Sequence, residues 1–409
     1  MKLNNPSLSA RTAKISTGHD IESVARAGAP SAAELLARAR AFRPTLNAGA
    51  DAAEAQGSLT PEAADFLRYE GFVGMWVPKE LGGLDLSPLE ILPIIEALTY
   101  ADSSVGWVLS TASLAAGAAG VFLGEEAVDR MFRGDAPPFM AGQGVPNGKA
   151  EAVPGGGYRL NGSWSYGSGI KHANFVCVGA GVYEGGRQRV REGAPENRFF
   201  FLPRDSVTLA DNWDVLGLRG TGSVDHSVAD LFVSEGYTFP AIAPQPLRKS
   251  YAALGFAVLA PVGHGAFALG IGQRMLDEIA RFAESRKGRP GAIGDSESFL
   301  EEYAGALARF RAARALIVEV WEEAQDVFAR GSRLSVEQDS FLRLSMIQAT
   351  NVVADICTFG YRIAGGTSLR KSVIQRLFRD IHAGTQHIIC STPMLRACGR
   401  DLLVTHFAS

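Results

Sequence analysis

Two histidines near the end of the chain have the chemistry for proton transfer. His382 and His387 lie in the segment RDIHAGTQHI. A neutral imidazole accepts a proton from a weak O–H or N–H acid, and it also hydrogen-bonds to a reactive oxygen atom. Side chains five residues apart point to different sides of a helix. The spacing therefore predicts that only one of the two histidines faces a shared site.

A second set of candidate residues combines glycines, a hydroxyl and aromatic rings. Gly142 and Gln143 lie in MAGQG, and Trp164, Tyr166 and Ser168 lie in NGSWSYGSG. Small residues let backbone N–H groups approach a planar or anionic ligand closely. The hydroxyl and the rings suit a flavin, which needs hydrogen bonds at its polar edge and apolar walls beside it. Each motif alone is equally compatible with an ordinary loop, and Trp164 with a core position.

The elements that must position these residues change character along the chain. The polar character of residues 1–30 predicts a disordered lead-in. Residues 31–137 show the apolar spacing of helices. Residues 138–246 carry short alternating runs separated by turn signals, which predict a small β-domain. Residues 247–409 return to helical spacing. The predicted fold class is therefore mainly α with a central β-domain.

Local signals refine this division. Thr60-Pro61-Glu62 predicts a helix start, and helical segments follow at about 88–101, 103–119 and 124–133. Gly155-Gly156-Gly157 predicts a β-hairpin. One long helix near the C-terminus carries a wide apolar face, which predicts a bundle that also packs against other subunits. This face consists of Leu300, Tyr303, Ala304, Leu307, Phe310, Leu316, Ile317 and Val320.

The composition excludes several classes of protein. Hydrophobic residues make up 46% and charged residues 20% of the 409 positions, which is typical of a soluble globular protein. A net charge of −3, without a basic stripe, gives no reason to expect a nucleic-acid partner. No signal-peptide core and no apolar run of about 18 residues occurs, so we expect a cytoplasmic protein without a membrane span. The four cysteines form no CxxC pattern, and we expect neither disulfides nor a metal site.

The segment YRLNGSWSYGSGIKHANFVCVGA resembles the flavin-binding β-domain stretch of the acyl-CoA dehydrogenase superfamily. Its G-x-W-S-[FY]-x-S-G pattern is closer to the group D flavin monooxygenases, which include p-hydroxyphenylacetate hydroxylases and the dibenzothiophene monooxygenase. The same branch is resembled, in order, by FVGMWVPKELGGLDLSPLEIL, DSSVGWVLS, LGLRGTGSVDHSVADLFV and AGGTSLRKSVIQRLFRDIHAGTQHI. Together these segments cover roughly residues 60–400.

This resemblance implies roles for particular residues. Ser168 would contact flavin N5 and help to stabilise a C4a-hydroperoxide, with Trp164 and Tyr166 as walls of the ring. His387 matches the histidine that this branch keeps near flavin C4a. The resemblance further implies Arg286 as a ligand of a neighbouring subunit's cofactor phosphate, although Arg289-Pro290 stands where Phe-Gly is usual and a solvated helix end is the alternative. Residues that would line the substrate side are Trp107, Thr221 and His382, with Thr221 in a turn, Arg219–Ser223, that is also explained as purely structural.

Two departures from family patterns bear on the reaction. Acyl-CoA dehydrogenases carry a catalytic glutamate directly before a Gly-Thr, whereas Ala383 precedes Gly384-Thr385 in this chain. Alanine cannot act as a base, and the stretch 254–259 offers no carboxylate either. Aromatic hydroxylases of the branch often carry a histidine shortly after GWV, where this chain has Leu114-Ala115-Ala116. Indoles and polyketide aromatics therefore remain possible substrates in addition to phenols, and N-oxygenation of an amine remains a possible reaction.

The resemblance implies an N-terminal helical domain, a β-barrel domain and a C-terminal four-helix bundle that assembles as a homotetramer. No Rossmann G-x-G-x-x-G follows a predicted strand, so reduced FMN or FAD would come from a separate NAD(P)H:flavin reductase. The expected enzyme is the hydroxylase component of a two-component monooxygenase, which uses O2 on an aromatic or heteroaromatic small molecule. The alternatives are an acyl-CoA dehydrogenase or oxidase, an N-oxygenase, and a non-catalytic homologue that binds flavin or CoA.

Overall fold

The computed structural model describes residues 29–134, 136–242 and 244–408 of the chain. The disordered lead-in expected for residues 1–30 lies almost entirely outside the described residues. Within them, helices come first, strands follow, and helices return. This order confirms the predicted fold class, which is mainly α with a central β region.

Six helices precede the sheet among the described residues, and sequence signals fix several of their ends. They are α1 (Ala32–Ala41), α2 (Arg43–Gln56), α3 (Pro61–Tyr69), α4 (Pro88–Ala101), α5 (Ser103–Phe122) and α6 (Glu125–Phe132). Thr60 caps α3 by accepting a hydrogen bond from the Ala63 amide, with Pro61 in the first turn, as predicted. Asp102 separates α4 from α5 and caps the latter through the Ser104 amide. Caps of this kind satisfy the free amides of a first helical turn.

The central region is an eight-stranded sheet accompanied by a separate two-stranded pair. The sheet consists of β1 (Met140–Ala152), β2 (Tyr158–Trp164), β3 (Phe175–Glu184), β4 (Arg187–Gln188), β7 (Asn197–Pro203), β8 (Thr208–Leu209), β9 (His226–Val233) and β10 (Thr238–Pro240), and the pair consists of β5 (Val190–Arg191) and β6 (Ala194–Pro195). The hydrogen-bonded path through the sheet runs β10-β7-β3-β1-β2-β9-β8, with β4 paired to β3. The predicted hairpin at Gly155–Gly157 joins the antiparallel strands β1 and β2. Strands β1 and β3 run parallel and begin side by side, with Met140 opposite Phe175.

Five helices follow the sheet in the described part of the chain. They are α7 (Phe256–Glu284), α8 (Glu297–Ala329), α9 (Val336–Ala364), α10 (Val373–Gly384) and α11 (Thr392–Ala408). Helix α9 packs against α7, α8 and α10, and α7 also packs against α4. On the predicted apolar face of α8, Phe310 and Ile317 are buried, whereas Leu300 is 51% exposed.

Two long apolar helices are largely buried inside the protein. The expectation that no apolar stretch of about 18 residues occurs is wrong, because helices α5 and α7 are each long and apolar enough to cross a membrane. In the folded chain, 94% and 72% of their most apolar windows are buried. Their hydrophobicity is accounted for by contacts with neighbouring helices. A helix that is apolar on all sides is typical of the core of a large protein.

Glycines bring three of these elements close together. A Cβ atom at Gly263 of α7 would lie 3.0 Å from the Ser110 Cβ of α5, so the two helices are in near contact there. A Cβ atom at Gly384 would lie 2.7 Å from the Phe267 ring, so only glycine fits at the end of α10. The end of α10, the first half of α7 and the middle of α5 therefore meet at one place.

Candidate active site

Trp107 of α5 is the centre of a buried aromatic cluster. Its ring meets those of His264, Phe267 and His387 nearly edge-on, with centroids 5.0, 4.9 and 5.7 Å away. The two imidazole rings lie 4.4 Å apart. Edge-on packing is a favoured geometry for aromatic rings. The cluster therefore combines apolar walls with two groups that can transfer protons.

Hydroxyl groups from two loops adjoin the same tryptophan. The indole Nε1–H of Trp107 donates to Ser168 Oγ at 3.1 Å. Ser168 Oγ lies 2.7 Å from Ser223 Oγ, which in turn lies 2.6 Å from Thr221 Oγ1. All four side chains are buried. The fold therefore connects α5, the loop before β3 and the turn before β9 through one hydrogen-bonded chain.

Backbone geometry holds the Ser168 loop in place. Tyr166 has a φ of 66°, a left-handed conformation in which few non-glycine residues are found. The Gly167 amide donates to the Val224 carbonyl at 3.1 Å, and the Gly169 amide to the Thr221 carbonyl at 2.8 Å. The Tyr166 ring is 63% exposed beside this loop. Tyr166 is thus an open aromatic surface next to a rigid hydroxyl site.

Both histidines of the cluster are neutral near pH 7. Burial lowers the pKa of His387 to about 4. Burial also lowers the pKa of His264 well below its ordinary value, and the neighbouring His387 lowers it further. The Ile389 amide donates to His387 Nδ1 at 3.4 Å, which assigns the ring proton to Nε2. A neutral imidazole pair can accept one proton from a ligand that binds against it.

The two histidines of the C-terminal motif point to different places, as predicted, although His387 lies in the turn after α10 and not on the helix that the spacing argument assumed. His387 lies against Trp107, whereas His382 packs edge-on against Phe378 and lies 3.3 Å from the Thr358 hydroxyl. Of the residues proposed from the sequence, Trp107, Ser168, Thr221 and His387 come together in the cluster. His382 does not join them, so the geometry gives its predicted substrate contact no support.

The remaining predicted residues lie outside the cluster. Trp164 is fully buried, donates to the Gly179 carbonyl at 2.8 Å and stacks on His226, which is the core position that the sequence left open. A predicted role as a wall of the flavin gains no support from this placement. Arg286 lies over the Phe282 ring, and its guanidinium donates to the Thr367 hydroxyl at 3.2 Å.

Gly142 and Gln143 lie at the start of β1, where the Ser168 loop also leads into β3. A Cβ atom at Gly142 would lie 2.0 Å from the Cys177 carbonyl oxygen, so the pairing of β1 with β3 requires a glycine. Gln143 Oε1 is a buried acceptor without a hydrogen-bond partner. Buried polar atoms are rarely left unpaired, so Gln143 has free capacity for a ligand donor.

His264 and Phe267 are functional candidates that sequence reasoning missed. The available signal was one imidazole within the apolar run AVLAPVGHGAFALGIG. A polar side chain at the centre of such a run is buried, and buried polar groups need a partner. Neither these residues nor the other members of the cluster carry a carboxylate.

Comparisons with known proteins agree with this architecture. The model of "Acyl-CoA dehydrogenase, N-terminal domain" matches residues 30–132, and that of "Acyl-CoA dehydrogenase, C-terminal domain" matches residues 262–392. The chain is 31% identical over 383 residues to the indole-3-acetate monooxygenase of Pseudomonas putida, across 90% of this chain and 94% of that protein. The crystal structure of the HsaA monooxygenase from Mycobacterium tuberculosis has a TM-score of 0.82 at 24% identity, covering 90% of this chain and 95% of that one.

A further solved structure, XiaF from Streptomyces sp. in complex with FADH2 and glycerol, has a TM-score of 0.81 at 22% identity. It covers 91% of this chain and 95% of that one, and at this identity it shows the shared fold. The sequence match to the indole-3-acetate monooxygenase extends along nearly the whole of both chains. The chain therefore belongs to the two-component flavin-dependent monooxygenases built on the acyl-CoA dehydrogenase fold.

Proposed function

We propose that this chain hydroxylates an aromatic or heteroaromatic small molecule with O2 and reduced FMN or FAD, supplied by a separate NAD(P)H:flavin reductase. The observation that carries the proposal is the buried cluster in which Trp107 contacts Ser168, His264 and His387. It offers apolar walls, a fixed hydroxyl and two neutral imidazoles, and it offers no carboxylate. This set suits oxygen transfer to an electron-rich ring.

The residues at the start of β1 and β3 fit a flavin. Gln143 Oε1 is a buried acceptor without a partner, which suits an N–H group on the polar edge of the ring. Tyr166 presents an exposed aromatic surface beside Ser168. XiaF was solved in complex with FADH2, and a dibenzothiophene monooxygenase from Paenibacillus was solved with FMN bound, which supports either flavin here. A reduced flavin, when bound, supplies the electrons that activate O2.

The chain's own residues would bind and orient the substrate and move its proton. Trp107 would form an apolar wall for a planar substrate ring, and Phe267 would support it from behind through their edge-on contact. His387 and His264 are neutral because they are buried. The Nε2–H of His387 can donate a hydrogen bond to a reacting oxygen atom, and the unprotonated nitrogen of His264 can take the proton of a phenol O–H or an indole N–H at the position under attack. The burial of Trp107 and Ser168 keeps water from the reacting atoms.

Arg286 is proposed as a ligand of the flavin phosphate in an assembled oligomer. With Gly365, Gly366 and Thr367 it lines an open groove of about 800 Å³ at the surface of the bundle. A guanidinium beside glycine amides suits a phosphate. We propose that the groove serves a neighbouring subunit's cofactor in a cytoplasmic homotetramer. Exposed apolar residues on the C-terminal helices, such as Leu403 and Val404, support such an assembly.

The competing activity is acyl-CoA dehydrogenation, which needs a base to remove the substrate α-proton. Ala383 occupies the position before Gly384-Thr385, and the cluster around Trp107 contains no carboxylate. A neutral histidine whose pKa is about 4 is a weak base for a carbon acid. The residues of the site thus favour oxygen transfer.

A reconstitution experiment tests the proposal. The purified chain is incubated with a flavin reductase, NAD(P)H, O2 and a panel of indoles, phenols and amines, and products are identified by mass spectrometry. We expect addition of one oxygen atom to an aromatic substrate, and no oxidation of NAD(P)H when the reductase is omitted. Reduction of an artificial acceptor by acyl-CoA thioesters would overturn the proposal. Oxygenation confined to amine nitrogens would correct the substrate class.

A further inference from the structure

Ser168, Ser223 and Thr221 form a chain of hydrogen-bonded hydroxyl groups. The donor in each of these hydrogen bonds can be deduced from the contact that Thr221 makes at the end of the chain. Thr221 Oγ1 lies 2.7 Å from the Leu218 carbonyl oxygen, and a carbonyl can only accept. The single hydroxyl proton of Thr221 is therefore donated to Leu218. At its 2.6 Å contact with Ser223, Thr221 must then act as the acceptor, so Ser223 donates to Thr221.

The same reasoning fixes the proton of Ser168. Ser223 has one hydroxyl proton, which goes to Thr221, so Ser223 accepts at its 2.7 Å contact with Ser168. Ser168 therefore donates its own proton to Ser223. One of its two lone pairs receives the Trp107 N–H at 3.1 Å. What remains on Ser168 Oγ is one lone pair, so this hydroxyl can only accept a further hydrogen bond.

The backbone around Ser168 offers no other free donor. The Gly167 amide donates to Val224, the Ser168 amide to Tyr166, and the Gly169 amide to Thr221, at 3.1, 2.9 and 2.8 Å. The Ile170 amide donates to the Gly167 carbonyl at 3.0 Å. The whole turn therefore presents an acceptor where a ligand would meet Ser168.

The two redox states of a flavin differ at the atom concerned. N5 of oxidised flavin carries a lone pair and no hydrogen, whereas N5 of reduced flavin carries a hydrogen that it can donate. We propose that Ser223 and Thr221 are positioning residues that hold Ser168 as an acceptor, so that the site binds reduced flavin in preference to oxidised flavin. This inference rests on the proposed function, which brings flavin N5 to Ser168.

The proposal is tested by measuring flavin affinity without turnover. Dissociation constants of oxidised and reduced FMN and FAD are determined by titration, under anaerobic conditions for the reduced forms. We expect the wild type to bind reduced flavin more tightly. Ser223→Ala frees the Ser168 proton to turn toward N5, so the ratio of the oxidised to the reduced dissociation constant should fall about tenfold, the effect of one matched hydrogen bond. The midpoint potential of the bound flavin should fall correspondingly, by about 30 mV.

Three further variants separate this effect from a loss of packing. Thr221→Val should lower the ratio as Ser223→Ala does, whereas Thr221→Ser keeps the hydroxyl and should restore the wild-type ratio. Ser113→Ala is the matched control, because Ser113 is a fully buried serine of α5 whose hydroxyl bonds only to the Leu109 carbonyl. It should leave the ratio unchanged.

The outcomes distinguish a failure of the proposed function from a failure of the positioning role of Ser223 and Thr221. If the wild type binds neither redox state of FMN or FAD, the proposed function itself fails. If it binds flavin but holds both redox states equally, or if Ser223→Ala and Thr221→Val leave the ratio and the potential at wild-type values, the positioning role is overturned while the proposed function stands.

Discussion

At the scale of single residues, His387 has two measurable consequences, and the first is a pH-dependent stability. Its pKa is lowered from 6.5 to about 4 by burial, so the unfolded chain binds the additional proton in that range. The contribution of His387 to the free energy of unfolding should therefore be fully present above pH 6.5 and should be lost as the pH drops toward 4, by at most about 3 kcal/mol. Urea unfolding between pH 4 and 7 measures it. His387→Gln should flatten the slope, and an unchanged slope would show that His387 is solvated.

The second consequence is catalytic. His387→Ala should slow product formation by about 10²–10⁴-fold if the imidazole transfers a proton during the reaction. Electrons from NAD(P)H should then appear as hydrogen peroxide, measured against product in the reconstituted system. His382→Ala is the matched control, because this histidine precedes the same turn but packs against Phe378 and away from Trp107. Equal losses in both variants would contradict the assignment.

Ser168 supports a separate prediction at the same scale. Ser168→Ala removes the free lone pair beside Trp107 and should weaken binding of reduced flavin by about tenfold or less, the value of one hydrogen bond. Because that contact holds the cofactor during oxygen transfer, the fraction of NAD(P)H electrons released as hydrogen peroxide should rise clearly. Peroxide release at the wild-type level with intact turnover would show that Ser168 serves only in packing.

At the scale of elements, α10 anchors the turn that carries Thr221 and Ser223. The buried Asp380 carboxylate accepts from the Leu218 amide at 2.7 Å, and the Gly217 backbone packs directly against α10. Leu218 is left-handed, with a φ of 54°, and its carbonyl ends the hydroxyl chain. Helix α10 thus leads into the turn that carries His387 and fixes the hydroxyls through Asp380.

This anchor predicts opposite effects for two substitutions. Asp380→Ala leaves the Leu218 amide buried without a partner and should cost about 1–3 kcal/mol of stability. Asp380→Asn keeps an acceptor and removes a carboxyl whose pKa burial raises from 3.8 to about 7. Because the protonated carboxyl is favoured in the folded wild type, the contribution of Asp380 to the free energy of unfolding should fall as the pH rises from about 4 to 7, by no more than about 4 kcal/mol and opposite in sign to that of His387. Denaturation at pH 4.5 and 8 should show Asp380→Asn gaining on the wild type, and no gain would refute the buried charge.

At the scale of the whole molecule, exposed apolar side chains on the C-terminal helices predict an oligomer. Val404 of α11 and Val190 of the β5–β6 hairpin are both 70% exposed in the single chain. If the helices form the subunit contact, Val404→Glu should dissociate the assembly, because an unpaired charge would be buried there. Val190→Glu should leave it intact. Light scattering after size-exclusion chromatography measures the mass, and a monomeric wild type would contradict the homotetramer.

Much of the architecture could be predicted from the sequence, because the signals that specify it are local. Helix starts at Thr60-Pro61 and Asp102-Ser103, the glycine hairpin at Gly155–Gly157 and the apolar spacing each depend on neighbouring residues. Such patterns specify element type and order. The family was indicated by several segments that resemble it and follow one another in the same order along the chain. The sequence also predicted that His382 and His387 face different places, but the helix assumed for both ends at Gly384, and His387 lies in the turn that follows.

Which of these residues share a site could be learned only from the folded chain. Trp107, Ser168, Ser223, His264 and His387 come from five separate stretches, and no sequence spacing relates them. Close helix contacts at Gly263 and Gly384, and the anchoring of the Leu218 turn, bring them together. The same packing buried Trp164 in the core and His264 beside His387. Burial and the direction of a hydrogen bond are properties of the assembled neighbourhood, so the sequence could not supply them.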